Sequence, residues 1–274
     1  MKKLNYPFWA AFFTICFALF LVCKKEKEIV VTPVLRLVQL CDPQLRVPGI
    51  SYELSVSNFE RAIQLVNEIT PDVLLICGDM VHYYDRDEDI NKFLEIISRV
   101  KVPFLLNPGN HDMDEPLTLE GLQRYRSFFG EDFQTKELKG YSIISANSLL
   151  LWPGAGPKEE NLKHSKRLNE ALQSAQSKNQ PIVMITHYTP VFGEPGNEIF
   201  GLPKQFADLV SESGGFVWLA GHWHQAERRT YKNITILVGE ASSVNMGSPP
   251  TPPGIRLITV WPDNRIDWDY IPLY

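Results

Sequence analysis

Six apolar runs of strand length punctuate the chain, at 34–41, 73–77, 102–106, 141–146, 182–186 and 216–220. They are dense in Val, Ile and Leu. Unbroken runs of this kind read as strands covered on both faces. Between them the period changes. Phe59, Ala62, Ile63, Val66 and Ile69 recur at helical spacing, with Ser57 or Asn58 as N-cap. Ile90, Phe93, Leu94, Ile97 and Val100 repeat the pattern, 162–175 reads as a third helix, and 204–212 as a shorter fourth. Strands alternating with helices predict βαβ units. The tail differs: 225–231, 233–239, 255–261 and 265–271 read as short strands joined by turns, an antiparallel part near the C-terminus. The prediction is one layered α/β domain over 34–274, without internal repeats. The stretch 247–254, with Pro249-Pro250 and Pro252-Pro253, reads as a rigid loop. Asn233-Ile234-Thr235 matches a glycosylation sequon and reads as ordinary strand residues.

Composition narrows the classes. With 44% apolar and 22% charged residues among 274, wholesale disorder is excluded. A formal net charge of −5 disfavours a nucleic-acid partner, because such binding is dominated by phosphate neutralisation. Four cysteines without regular spacing exclude a disulfide scaffold and a CxxC zinc module. Cys41 and Cys77 each end an apolar run and read as buried free thiols; a disulfide stays open should the two runs be neighbouring strands.

The N-terminus reads as an address. Lys2 and Lys3 precede a 16-residue apolar run, 8–23, broken only by Thr14 and followed by Lys24-Lys25-Glu26-Lys27-Glu28. That run is shorter than the ~20 residues that span a bilayer comfortably. Residues 1–23 are therefore expected to be a signal peptide or membrane anchor, and 24–33 a tether. Leu21-Val22-Cys23 resembles a bacterial lipobox with Cys23 as the lipidated residue, although Val22 stands where a small residue is usual. The competing reading is an uncleaved anchor helix from near Tyr6. Either places the folded part on a membrane, outside the cytoplasm.

The chemistry sits after the strands. Run 34–41 ends in Asp42-Pro43-Gln44, 73–77 in Gly78-Asp79-Met80-Val81-His82, and 102–106 runs into Gly109-Asn110-His111-Asp112. Run 182–186 ends in His187, and 216–220 in Gly221-His222-Trp223-His224. Five of the six histidines lie in these turns; only His164 does not. A lone Gly-Asp is usually a turn, and a lone His usually a hydrogen-bonded histidine. The ordered set is hard to obtain from structural needs, and open α/β sheets gather ligands outside the carboxyl ends of their strands. Metal binding is the reading.

The order and spacing resemble the calcineurin-like metallophosphoesterase superfamily, closest to its CSTP-type and purple-acid-phosphatase-like branch. The resemblance implies an αββα sandwich, two mixed β-sheets flanked by helices, with a dinuclear metal centre at one sheet end. It implies that Asp79 bridges both metals, that Asp42 and His224 hold the first, and that Asn110, His187 and His222 hold the second. His111 would protonate the leaving oxygen and Asp112 orient it. Gln44 stands where the family carries a histidine, and offers only a neutral carboxamide oxygen. His82, three residues beyond Asp79, would then complete the first metal, contact substrate, or pack. The implied cofactors are two divalent or mixed-valence ions, Mn, Fe or Zn, which imidazoles suit better than Mg or Ca. Two dications against two carboxylates leave about two positive charges for a phosphate and a bridging hydroxide nucleophile.

The expected function is metal-dependent hydrolysis of phosphate esters, foremost of phosphomonoesters on a small molecule or protein. The alternatives are a phosphodiesterase acting on nucleotides or lipid headgroups, and a binding lipoprotein with a degenerate site, for which Gln44 alone speaks. Loops 43–56, 83–88, 148–160 and 190–203 are expected to form the rim. Trp152, Tyr188, Phe192 and Trp223 read mostly as packing.

Overall fold

Thirteen strands and six α-helices follow one another in the computed structural model, which describes residues 32–152, 154–190, 201–243 and 251–274. The chain runs β1 (Leu35–Leu40), α1 (Tyr52–Ile69), β2 (Val73–Cys77), α2 (Asp87–Ile97), β3 (Phe104–Asn107), a 3₁₀ turn (Asn110–Asp112), α3 (Leu119–Phe129), β4 (Phe133–Leu138) and β5 (Tyr141–Ala146). It continues with α4 (Ser148–Leu151), α5 (Lys158–Ser177), β6 (Ile182–Ile185), β7 (Thr189–Pro190), β8 (Gly201–Leu202), α6 (Lys204–Glu212), β9 (Gly215–Ala220), β10 (Glu227–Tyr231), β11 (Ile234–Val238), β12 (Gly254–Val260) and β13 (Ile266–Pro272). The expected signal or anchor with Cys23, most of the tether, Phe192 and much of the 247–254 loop lie outside the described residues. Among the described residues no helix is long and apolar enough to cross a membrane.

Two mixed sheets carry the fold. One has the order β13-β12-β1-β2-β3, the other β10-β11-β9-β6-β5-β4. Strands β1, β2 and β3 run parallel, as do β5, β6, β9 and β11. The central strands divide their side chains between two cores, as the pleat requires. Leu37, Leu75, Val183, Leu219 and Leu237 fill the layer between the sheets. Val38, Leu74 and Ile76 face α1, α2 and α3 with Phe59, Phe93 and Tyr125. Met184, Trp218 and Ile236 face α5 and α6 with Leu168, Leu172 and Val210. Helix, sheet, sheet, helix is the αββα sandwich, and two covered faces explain why the central runs do not alternate with polar residues. Burying each such Leu or Ile contributes about 1.5–3 kcal/mol.

The structure corrects several expectations. Helix α1 starts at Tyr52, capped by the Ser51 hydroxyl, which accepts from Leu54 N at 3.1 Å. Ser57 and Asn58 lie inside it, and Asn58 is buried, donating to Ser243 O at 2.7 Å. The loop after β1 is correspondingly shorter than 43–56. The tail is not one antiparallel part: the β10–β11 hairpin joins one sheet and the β12–β13 hairpin the other. Asn233 is a turn residue of the first hairpin, and its amide donates to Gly215 O at 2.7 Å. Helix α3 and strand β4 were not expected. Strand β4 ends its sheet and alternates half-buried with exposed residues, so its sequence is too polar to stand out. Cys41, just past β1, and Cys77, the last residue of the neighbouring β2, are buried free thiols; burial, then the Cys77 thiol, pushes the Cys41 thiol well up.

Candidate metal centre

Strands from both sheets deliver polar residues to one edge of the sandwich. Asp42 follows β1, Asp79 follows β2, Asn110 follows β3, His187 follows β6, and His222 and His224 follow β9. Four of these six sit in the left-handed region: Asp42 (φ 49°), Asp79 (φ 53°), His222 (φ 72°) and His224 (φ 52°). Gln44 (φ 38°) joins them. Each such non-glycine costs on the order of 1–3 kcal/mol and persists where its surroundings fix it, commonly at functional sites. The turned backbone aims these side chains across the strand ends at one another. Glycines let the loops approach. A Cβ at Gly109 would lie 2.0 Å from Asp79 Oδ1, and one at Gly221 2.7 Å from Asp42 Oδ2.

Two ligand groups result, Asp79–His187–His222 and Asp42–Asp79–His224, each with its donor atoms within 4.8 Å of one another. Asp79 belongs to both. His187 Nδ1 donates to Cys77 O at 2.8 Å, which leaves Nε2 facing Asn110 Oδ1 at 3.0 Å and Asp79 Oδ2 at 3.3 Å. A carbonyl that takes the far ring proton and frees the other nitrogen is the usual support of a metal-binding histidine. His224 Nε2 lies 3.2 Å from Asp42 Oδ1. Asp42 also accepts from His222 N at 3.1 Å, and Asp79 from His111 N at 2.9 Å. Tyr188 packs edge-on against the His222 ring, 4.6 Å between centroids.

Charge explains what the site needs. Asp42 and Asp79 are buried, and among the described residues neither pairs with a Lys or Arg. Burial works against ionising both Asp79 and His187, yet their proximity overrides it. His187 and His111 hold the Asp79 carboxyl below its usual range, and Asp79 lifts the His187 imidazole to about 10. Burial, then His187, pushes His222 down to about 3. Burial opposes a charge on His224 too, but Asp42 raises it. Buried carboxylates with no Lys or Arg partner, a carboxylate shared by two ligand groups and imidazoles turned toward those carboxylates fit a pair of metal ions. Gln44 adds an orphan: its Nε2 donates to Asp79 Oδ2 at 3.1 Å, while its buried Oε1 has no partner.

The remaining expected residues take distinct places. Asp112 does not reach the His111 ring through any described bond; its Oδ1 accepts from Met80 N at 2.7 Å and Val81 N at 3.2 Å, and its Oδ2 from Gly109 N at 2.8 Å. It clamps the loop after β2 to the loop after β3. Burial, then Asp79, raises its carboxyl to about 8. The His111 ring instead has Nδ1 3.1 Å from His82 O. His82 belongs to neither ligand group and lies against His111, 4.4 Å between ring centroids; burial, then His111, lowers its imidazole. No residue type signals a supporting backbone carbonyl, so the parts played by Cys77 O and His82 O were not visible in the sequence.

Two overlapping ligand sets at the carboxyl ends of an αββα sandwich, with a histidine beside them, define a metallohydrolase. The chain belongs to the calcineurin-like phosphoesterase family, whose model matches residues 35–226. It is a metal-dependent phosphoric ester hydrolase, acting on phosphorylated substrates. The human serine/threonine-protein phosphatase CPPED1 is 24% identical over 229 residues, covering 77% of this chain and 72% of that protein. Among solved structures, a dimetal phosphatase from Danio rerio superposes with a TM-score of 0.63 at 14% identity, over 89% of this chain and 98% of that one. The purple acid phosphatase PPD1 of yellow lupin gives 0.64 at 16% identity, over 88% and 52%.

Proposed function

We propose that this protein is a phosphomonoesterase working with two metal ions of the Mn, Fe or Zn kind. The observation that carries the proposal is the sharing of Asp79 between two ligand groups, with the His111 backbone N–H donating to that same carboxylate. Bound there, two cations supply Lewis-acid activation of water and charge for the phosphoryl oxygens. Asp42, His224 and Asp79 would hold one, with Gln44 Oε1 as a further oxygen donor; Asp79, Asn110, His187 and His222 would hold the other. His187 is kept in register by Cys77 O. His111, its Nδ1 engaged by His82 O, presents Nε2 toward the leaving group and delivers its proton. Asp112 holds the two loops in place. Monoester specificity is supported by the similarity to CPPED1, described as a serine/threonine-protein phosphatase. Rates on p-nitrophenyl phosphate and on its bis ester, with Mn(II), Fe(II) or Zn(II) supplied, test it. Faster turnover of the bis ester makes the protein a diesterase; turnover of neither leaves a binding protein.

The same proposal places the enzyme on a membrane, outside the cytoplasm, held by 1–23. Its support is Lys2 and Lys3, the apolar run to Cys23 and the charged exit after it. In a lipoprotein, Cys23→Ser stays as uncleaved precursor without acyl label. Equal size, equal membrane retention and no label in the wild type would leave a plain anchor.

A further inference from the structure

The loop after β2 ends in a histidine that the ligand groups leave out. His82 is absent from both Asp79–His187–His222 and Asp42–Asp79–His224. Its ring lies almost parallel on the His111 ring, with centroids 4.4 Å apart and planes 26° apart. Its own carbonyl oxygen is 3.1 Å from His111 Nδ1. One residue therefore meets the His111 imidazole twice, on a face and at a ring nitrogen. The Tyr83 ring also closes on His82 edge-on, 4.5 Å between centroids and 90° between planes.

The backbone that presents this contact is itself fixed. His82 N donates to Leu45 O at 3.0 Å. The two residues before it donate to Asp112 Oδ1, Met80 N at 2.7 Å and Val81 N at 3.2 Å. Because Asp112 follows His111 directly, both histidines hang from one hydrogen-bonded clamp. Nothing comparable holds the His111 side chain from elsewhere among the described hydrogen bonds.

We propose that His82 is a positioning residue for His111 rather than a metal ligand: its carbonyl takes the Nδ1 proton and its ring limits imidazole rotation, so that Nε2 stays aimed at the leaving oxygen. This rests on the phosphoesterase reading and on His111 as its proton donor. A misplaced acid loses rate where the leaving group needs a proton, and a displacement of about 1 Å can cost on the order of 10²-fold. A leaving group as stable as p-nitrophenolate needs little protonation, so it is nearly indifferent. Every side-chain substitution at 82 keeps the carbonyl, so the variants read the ring contact alone.

The test uses the full chain with Mn(II), and His82→Ala and His82→Phe beside the wild type. Bound Mn is counted by elemental analysis, folding is followed by thermal melts, and kcat is measured on p-nitrophenyl phosphate and an alkyl phosphate. His82→Ala is expected to bind Mn as the wild type does and to lose roughly 10–100-fold in kcat on the alkyl ester, against less than about threefold on the aryl ester. His82→Phe, which keeps a flat ring against His111 but no ligand nitrogen, is expected to recover most of the alkyl rate. Loss of Mn in both variants would make His82 a ligand and overturn the proposal. Equal losses on the two esters with Mn retained would overturn it as well, by reducing His82 to packing. A wild type that binds Mn and hydrolyses neither ester would sink the phosphoesterase reading together with this one; an active wild type separates the two.

Discussion

Two buried Asp–His pairs in this molecule behave in opposite ways. At the candidate metal centre, Asp79 and His187 lie 3.3 Å apart, and the imidazole is lifted to about 10 although burial opposes it. Behind β4, Asp132 and His164 lie 3.7 Å apart, both buried, and the imidazole falls to about 4. Burial is the first cause there, and Asp132 cannot reverse it because Arg167 and Arg126 push the same way. Arg126 Nε donates to Asp132 Oδ1 at 2.8 Å, and Asn147 Nδ2 donates to Oδ2 at 3.2 Å. The second carboxylate has its cation built in, so His164 needs no charge. The first has none, so it draws a proton onto histidine and offers the same electrostatic place to metal ions.

The difference can be broken from the metal side first. Asp79→Asn removes the carboxylate common to both ligand groups. Turnover should drop to background and bound metal should fall, as read by elemental analysis; near-normal turnover at full occupancy would refute the bridging assignment. His111→Ala should keep its metal and lose about 10²–10⁴-fold on alkyl phosphates, less on aryl ones. An equal loss on both classes would show that His111 is not the acid.

Smaller effects belong to the other pair. Arg126→Met leaves Asp132 buried beside an uncharged neighbour. Breaking a fully buried pair costs about 3–5 kcal/mol. With the Arg126 side chain 29% exposed, about 2 kcal/mol is expected, a Tm lower by about 4–8 °C. Activity per folded molecule should not change; a loss of bound metal would mean that the two regions are coupled. The same pair also sets a pH dependence. His164 titrates near 4 when folded, against ~6.5 in the unfolded chain. As pH falls through that window the unfolded chain binds the proton first, so stability is lost, at up to about 1.4 kcal/mol per pH unit. Denaturant melts of His164→Gln should show a shallower fall between pH 6.5 and 4. An unchanged slope would mean that His164 is already charged in the folded protein.

Legibility followed burial and locality. The central strands of the two sheets were plain because both faces are covered, while β4, half in solvent, was not. Helix α3 has Leu122, Tyr125 and Phe129 on its buried face, but Gly121 and its charged residues dilute the pattern. The turns Gly78-Asp79, Asn110-His111 and Gly221-His222-Trp223-His224 stood out because they end apolar runs. The part of Asp112 did not: beside His111 it reads as that ring's partner, whereas its oxygens take Met80, Val81 and Gly109 N–H groups.

The sequence by itself determined the layered α/β domain and the strand ends that carry chemistry, because hydrophobic periodicity and turn residues are local properties of the chain. Only the tertiary structure decided which of those ends meet. Asp42 comes within 3.2 Å of His224, 182 positions away, because β1 and β9 lie in different sheets of one sandwich and the left-handed backbone at both residues turns their side chains inward. It also decided that His82 meets His111 through a ring face and a carbonyl. A backbone oxygen is the same at every residue, so its direction is set by packing and leaves no mark in the sequence.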